Sequence, residues 1–211
     1  MQAKKQLITL GQDGELALKS PDGEVRKLPS PDMQAGRAFV YLVIDCSGSM
    51  EGNKLEQAKK GSLDFAQTAL NSGYEVGLIA FNSRTFHLCP TVIDLAELQN
   101  GVDRLQAEDG TDLTPAIEAV IHRLGKKSNA IRAMVVVTDG ATADPNSALM
   151  AANKAKKMGI SILAIGTDDA NSDFLSKLAS DTDLATKVSS DDLEETISSA
   201  AKMLPSGENL P

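Results

Sequence analysis

The chain has 211 residues, 42% of them hydrophobic and 24% charged, with a formal net charge of −8. That is enough for one domain with a full core, too apolar for disorder, and too acidic for a nucleic-acid partner held by a basic patch. No run of ~18 apolar residues offers a membrane span, and Leu7 to Leu10 is too short for a signal-peptide core, so a cytoplasmic protein is expected. Cys46 and Cys89 match no metal or redox spacing, and reduced thiols are expected.

In chain order, residues 1–36 read as a small β-meander followed by a linker. Leu7 to Leu10, Glu15 to Lys19 and Glu24 to Leu28 are short strand-like pieces, parted by the turn sequences Gly11-Gln-Asp-Gly14 and Pro21-Asp-Gly23. Pro29-Ser-Pro-Asp32 reads as the linker. Four continuous apolar runs come next: Phe39 to Ile44, Val76 to Phe81, Ala133 to Thr138 and Ile160 to Ile165. Runs without alternation are what strands covered on both faces look like.

Helical patterns lie between these runs. Leu55, Ala58, Ser62, Phe65, Ala66 and Ala69 share one helix face. A second helix is expected near Thr114-Pro115, with Thr114 as its cap and Pro115 at its first position. Asp144-Pro145 repeats that start signal, Gly159 marks the stop, and a last helix should run from about Asp191 to Met203. Arg84 to Leu88 follows the second strand too closely for a parallel crossover and is expected as an antiparallel edge strand. Alternating strands and helices predict an α/β fold, a doubly wound parallel sheet with helices on both faces. The tail from Pro205 to Pro211 is expected to fray.

The polar residues at the strand ends carry the chemistry. The first long strand ends in Asp45-Cys-Ser-Gly-Ser49, Gly110-Thr-Asp112 precedes a helix, and another strand ends in Thr138-Asp-Gly140. A doubly wound sheet gathers such segments at one edge. Ser47, Ser49 and Thr111 offer hydroxyls, and Asp45 and Asp139 offer carboxylates. Hard oxygen donors without Cys or His suit Mg²⁺ or Mn²⁺. An ion held largely by neutral hydroxyls keeps enough charge to draw in an outside carboxylate. Asp112 is a candidate either to support the site or to steady its loop.

Together, Asp45-x-Ser47-x-Ser49, Thr111 and Asp139-Gly140 resemble the metal-ion-dependent adhesion site of von Willebrand factor type A domains, over residues 37–204. The resemblance implies a Rossmann-like, mostly parallel six-stranded sheet with one antiparallel edge strand. It implies direct ligation by Ser47, Ser49 and Thr111, with Asp45 and Asp139 acting mostly through bound water. A partner protein would supply an Asp or Glu, and an AAA+ ATPase of the MoxR kind is the partner that the family suggests. The expectation is a non-enzymatic interaction module. Its rivals are a metal-dependent hydrolase and a purely structural metal-bound domain. A serine hydrolase is disfavoured because Ser47 has Asp45 and Ser49, not glycines, two residues either side. A metal-dependent one is disfavoured because no histidine is near in sequence and every local carboxylate is assigned to the metal. His87 and His122 are expected to be ordinary, and Cys46 a passive thiol, with nothing basic beside it.

Overall fold

The computed structural model describes the strands Leu7–Leu10, Leu16–Lys19 and Val25–Lys27, and residues 36–140 and 142–205. The chain divides into two compact units, Met1–Ala35 and Gly36–Pro211. In the first, β1 (Leu7–Leu10), β2 (Leu16–Lys19) and β3 (Val25–Lys27) form an antiparallel sheet in sequence order. The expected turns and linker of this unit, and the tail after Pro205, lie outside the described residues.

The second unit begins with β4 (Ala38–Asp45), α1 (Asn53–Asn71), β5 (Tyr74–Phe81), β6 (Thr85–Val92) and α2 (Leu95–Val102). It continues with α3 (Thr114–Leu124), β7 (Ile131–Thr138), α4 (Pro145–Lys157) and β8 (Ser161–Thr167). It ends with α5 (Ser172–Leu178), β9 (Ala185–Val188) and α6 (Leu193–Ala200). The sheet order is β6-β5-β4-β7-β8-β9, and every pairing is parallel except β5 with β6. This is the six-stranded, Rossmann-like sheet with one antiparallel edge strand. Each predicted run is a strand, and β9, α2 and α5 are additions to the predicted elements.

Double-sided burial explains the unbroken apolar runs. Every residue of β4 and β7 is buried. On one face Val40, Leu42, Ile44, Val135 and Val137 meet Phe65 of α1, Leu98 of α2 and Ile197 of α6. On the other, Phe39, Tyr41, Val43, Met134 and Val136 meet Ile117 and Val120 of α3 and the alanines 148, 151, 152 and 155 of α4. Each large apolar side chain so enclosed contributes about 1.5–3 kcal/mol.

Local chemistry sets the helix ends. Asp144 caps α4 by accepting the N–H of Ser147 at 3.1 Å, with Pro145 first in the helix. Gly159, at φ +73°, stops it. Thr114, however, is already the first residue of α3, because Leu113 ahead of it takes a helical conformation. Pro115 is therefore second, and the capping oxygen belongs to Asp112, which accepts the Thr114 N–H at 3.2 Å. Lys154 and Lys156 reach beyond their own helix: Lys154 pairs with Glu118, and Lys156 donates to the carbonyls of Lys177 and Ala179 at the end of α5.

At the N-terminal end of the sheet, Arg132 is 8% exposed. Its guanidinium donates to the Leu124 carbonyl at 3.4 Å and the Met158 carbonyl at 2.6 Å, so one cation closes the ends of α3 and α4. Burial lowers its pKa. At the β6 edge, the pairing with β5 is broken by register shifts between Val76 and Ile79, and β6 carries Pro90. The opposite edge strand, β9, is only four residues long and includes Lys187.

Candidate functional site

The chain runs from β4 outward to β5 and β6 on one side, and later resumes at β7 on the other. The crevice at such a reversal opens between the carboxyl ends of β4 and β7. Asp45 is the last residue of β4, and Asp139 follows the last residue of β7. Two strands that pair along their whole length thus deliver two buried aspartates to one place.

Asp45 is fully enclosed and takes a donor on each oxygen: the Ser47 N–H at 2.8 Å and the Thr138 hydroxyl at 2.6 Å. Burial raises its pKa above the ordinary carboxylate range. The two hydrogen bonds oppose that rise, and the charge of Asp139 adds to it. The chain then turns through one 3-10 turn, Gly48–Met50, closed by the Met50 N–H on the Ser47 carbonyl at 2.9 Å. Met50 is buried as an anchor while Ser49 stays exposed. The turn brings the Ser47 and Ser49 hydroxyls within 3.0 Å of one another. Ser49 in turn donates to Asp139 Oδ1 at 2.8 Å. Asp45, Ser47, Ser49 and Asp139 therefore form one continuous network.

Thr111 is not hydrogen-bonded to these four residues; its main chain ties its loop to the segment after β7. Its carbonyl accepts the Thr142 hydroxyl at 3.2 Å and the Ala143 N–H at 2.7 Å, while its own hydroxyl makes no bond to the serine pair. The loop bearing Thr111 is tied down elsewhere too. Glu108 N–H donates to the Cys46 carbonyl at 2.9 Å and Asp112 N–H to the Asn82 carbonyl at 2.7 Å. A side-chain carbon on Gly48 would fall 2.9 Å from Asp109 Oδ1, so glycine there lets the loop close against the serine turn. Asp112 steadies the loop and caps α3.

Several participants escaped the sequence reading. Lys54, in the first turn of α1, donates to Asp139 Oδ2 at 2.7 Å and lies 3.1 Å from Asp168 Oδ2. Partial burial opposes its charge, but the hydrogen bonds and attraction of the two aspartates outweigh it and hold its pKa above the usual lysine value. Thr138 and Thr142 tie the loops together, and Asp109 borders the serine turn. Only Asp109 and Thr138 carried a usable signal, since both adjoin a motif residue in sequence.

The remaining candidates are inert. Cys46 is buried and its thiol is pushed up to about 12 by burial and by the charge of Asp45. Both cysteines are free. His87 pairs with the Tyr41 hydroxyl at 3.1 Å, and His122 lies near the end of α3. Among the described residues no group of three or more His, Cys, Asp or Glu converges as a metal site. A cation at this edge would have to draw on the hydroxyls as well, which is a donor set for a hard ion.

The profile of the von Willebrand factor type A domain matches residues 40–200, and the chain belongs to that family. A von Willebrand factor A domain-containing protein of Dictyostelium discoideum is 29% identical over 126 residues, a stretch that is 57% of this chain and 15% of that protein. A UPF0353 protein of Mycobacterium leprae is 28% identical over 169 residues, 71% of this chain and 48% of the relative. The chain thus spans half or less of these relatives' own length. Among solved structures, proximal thread matrix protein 1 of the mussel byssus superposes with a TM-score of 0.70 at 18% identity, over 81% of this chain and 47% of that one. A second structure of that protein has a zinc-occupied adhesion motif and a TM-score of 0.66 at 17% identity, over 80% of this chain and 46% of that one. The manganese-loaded TRAP protein of Plasmodium vivax superposes at 0.62 with 21% identity, over 77% of this chain and 72% of that one. At these identities the structural likeness speaks for the fold. No helix among the described residues is long and apolar enough to cross a membrane.

Proposed function

We propose that this domain binds a divalent cation, Mg²⁺ or Mn²⁺, through Asp45, Ser47, Ser49, Thr111 and Asp139, and that the ion takes an Asp or Glu carboxylate from a partner protein. The observation that carries this is the hydrogen-bonded run from Ser47 to Ser49 to Asp139, residues from two strand ends joined at the reversal of the sheet. Bound there, the ion would supply an open coordination position and enough residual positive charge to attract a carboxylate. The hydroxyls of Ser47, Ser49 and Thr111 are the direct ligands in this reading. Asp45 and Asp139 orient them and hold water. Supporting the reading are the family membership and the metals carried by two proteins of the same fold.

A purely structural metal fits less well, because the three loops are already fastened to one another by direct hydrogen bonds. A hydrolase fits less well because neither histidine enters the network. Two buried free thiols fit a reducing, cytoplasmic setting. An AAA+ ATPase of the MoxR kind is the partner class to try first.

Titration calorimetry with Mn²⁺ tests the site. The intact protein is expected to bind one ion, and Ser47→Ala/Ser49→Ala to bind it more than ~100-fold more weakly or not at all, beyond what loss of a supporting residue costs. Equal affinity in both would sink the assignment. Retention of a partner in Mg²⁺ but not in EDTA, and only by the intact site, tests the second half. Retention that ignores the metal would leave the adhesion role without support.

A further inference from the structure

Asp139 has two carboxylate oxygens, and both are engaged. Oδ1 accepts the Ser49 hydroxyl at 2.8 Å, and Oδ2 accepts the Lys54 ammonium at 2.7 Å. The same ammonium is 3.1 Å from Asp168 Oδ2. The side chains of Lys54 and Asp139 are 21% and 1% exposed, so this is not the solvated surface pair that contributes almost nothing. Asp168 stands on the turn between β8 and α5 with φ +47°, the single positive-φ residue other than glycine among the described residues. Side chains tolerate that conformation where the surroundings hold it. Here Lys54 holds the side chain, and the Asp168 N–H donates to the Val188 carbonyl at 3.3 Å.

Resting on the metal reading above, we propose that Lys54 is an internal competitor of the divalent ion, setting its affinity by sharing Asp139 and passing its arrival on to Asp168. An ion seated beside Ser49 and Asp139 adds positive charge next to an ammonium on the same carboxylate. In a partly buried site that repulsion is weakly screened. The ion and Lys54 therefore cannot both hold Asp139 at full strength. Whatever factor the ion takes from the Lys54–Asp139 bond, Lys54 takes from the ion, because the coupling is reciprocal. Loosened from Asp139, the ammonium keeps Asp168 as its remaining partner, so the β8–α5 turn responds to metal at the serine turn. The lysine gives the domain an affinity threshold that the five motif residues alone would not set.

The experiment is Mn²⁺ titration of the full chain, as wild type, Lys54→Met and Lys54→Arg, together with amide hydrogen exchange over residues 167–172 in EDTA and in Mn²⁺. Lys54→Met is expected to bind Mn²⁺ about tenfold more tightly or better, inside the ~5–150-fold range of such couplings. Lys54→Arg, which keeps the cation, should stay within about threefold of wild type. Exchange in the turn should change when Mn²⁺ is added to wild type, and respond far less in Lys54→Met. Unchanged or weaker binding by Lys54→Met would overturn the inference while leaving the metal site standing. Failure of every variant to bind Mn²⁺ would remove the metal reading and this inference together.

Discussion

Two cations sit at opposite ends of the same sheet, and they are held in opposite ways. Arg132, at the start of β7, is ringed by main-chain carbonyls that close α3 and α4. Lys54, beyond the ends of β4 and β7, is held by the carboxylates of Asp139 and Asp168. Burial lowers the pKa of the first, while for the second the aspartates overcome burial and raise it. Carbonyls of a helix end cannot turn away without unravelling the helix, whereas carboxylates on loops can change partners. One end of the sheet is built to stay as it is, and the other is held by groups that can change partners.

The contrast can be broken most directly at Arg132. Arg132→Met should lower stability by about 2 kcal/mol, as two buried carbonyls lose their donor, and denaturant unfolding would show it. A neutral result would mean the two ends do not differ as described. Next comes Asp45→Asn, expected to stabilise the metal-free protein at pH values where the carboxylate is ionised. The folded pKa of Asp45 is raised, so its contribution to stability is present at low pH and lost as pH rises through the folded value. Wherever Asp45 is ionised its buried charge is a burden, and the amide removes it. The same variant should lose the rise in melting temperature that the proposed site predicts for wild type in Mn²⁺, since binding stabilises only a competent native state. Stabilisation by metal in both proteins would contradict this. A smaller change, about 1 kcal/mol in EDTA, is expected for Lys54→Met, because Asp139 loses one charged donor but keeps the Ser49 hydroxyl.

The smallest effect is expected at His87, outside either end. Burial and then the charge of Arg123 lower its pKa. The unfolded chain therefore takes up the proton first, at about pH 6.5. Stability contributed here is full above that pH and falls as pH drops through it, until the folded state is protonated as well. His87→Gln should flatten a slope worth below about 0.5 kcal/mol after solvent screening, measured by melting between about pH 7.5 and pH 5.

How far the sequence carried this reading follows the same division. The strands buried on both faces were legible because each contains an apolar run without alternation, with charged residues such as Glu75 and Arg132 only near its ends. β9, reading Ala-Thr-Lys-Val, was not, because a short half-buried edge strand leaves no apolar run. α2 and α5 are too short to show a clear period. In the candidate site, Asp45, Ser47, Ser49, Thr111 and Asp139 stood out because polar residues at strand ends and helix starts interrupt an apolar pattern. Lys54 and Asp168 gave no such sign. Their meaning depends on the first turn of α1 reaching the turn after β8, a closeness across the fold that no local spacing records. Thr114 failed as a cap for a local reason: Leu113 extends the helix by one residue, and Asp112 supplies the oxygen.

The two sheet edges constrain how anything can approach this domain. Pro90 and the register shifts deny a newcomer an even row of hydrogen-bonding groups along β6, and β9 is short and carries Lys187. Neither margin is a template on which another chain could extend the sheet. Copies crowded together are discouraged from zipping edge to edge, and an extended peptide would find no groove of backbone partners there. Recognition by backbone pairing, which accepts many sequences, is disfavoured at both margins, and the side chains at the strand ends are left as the selective surface of the sheet.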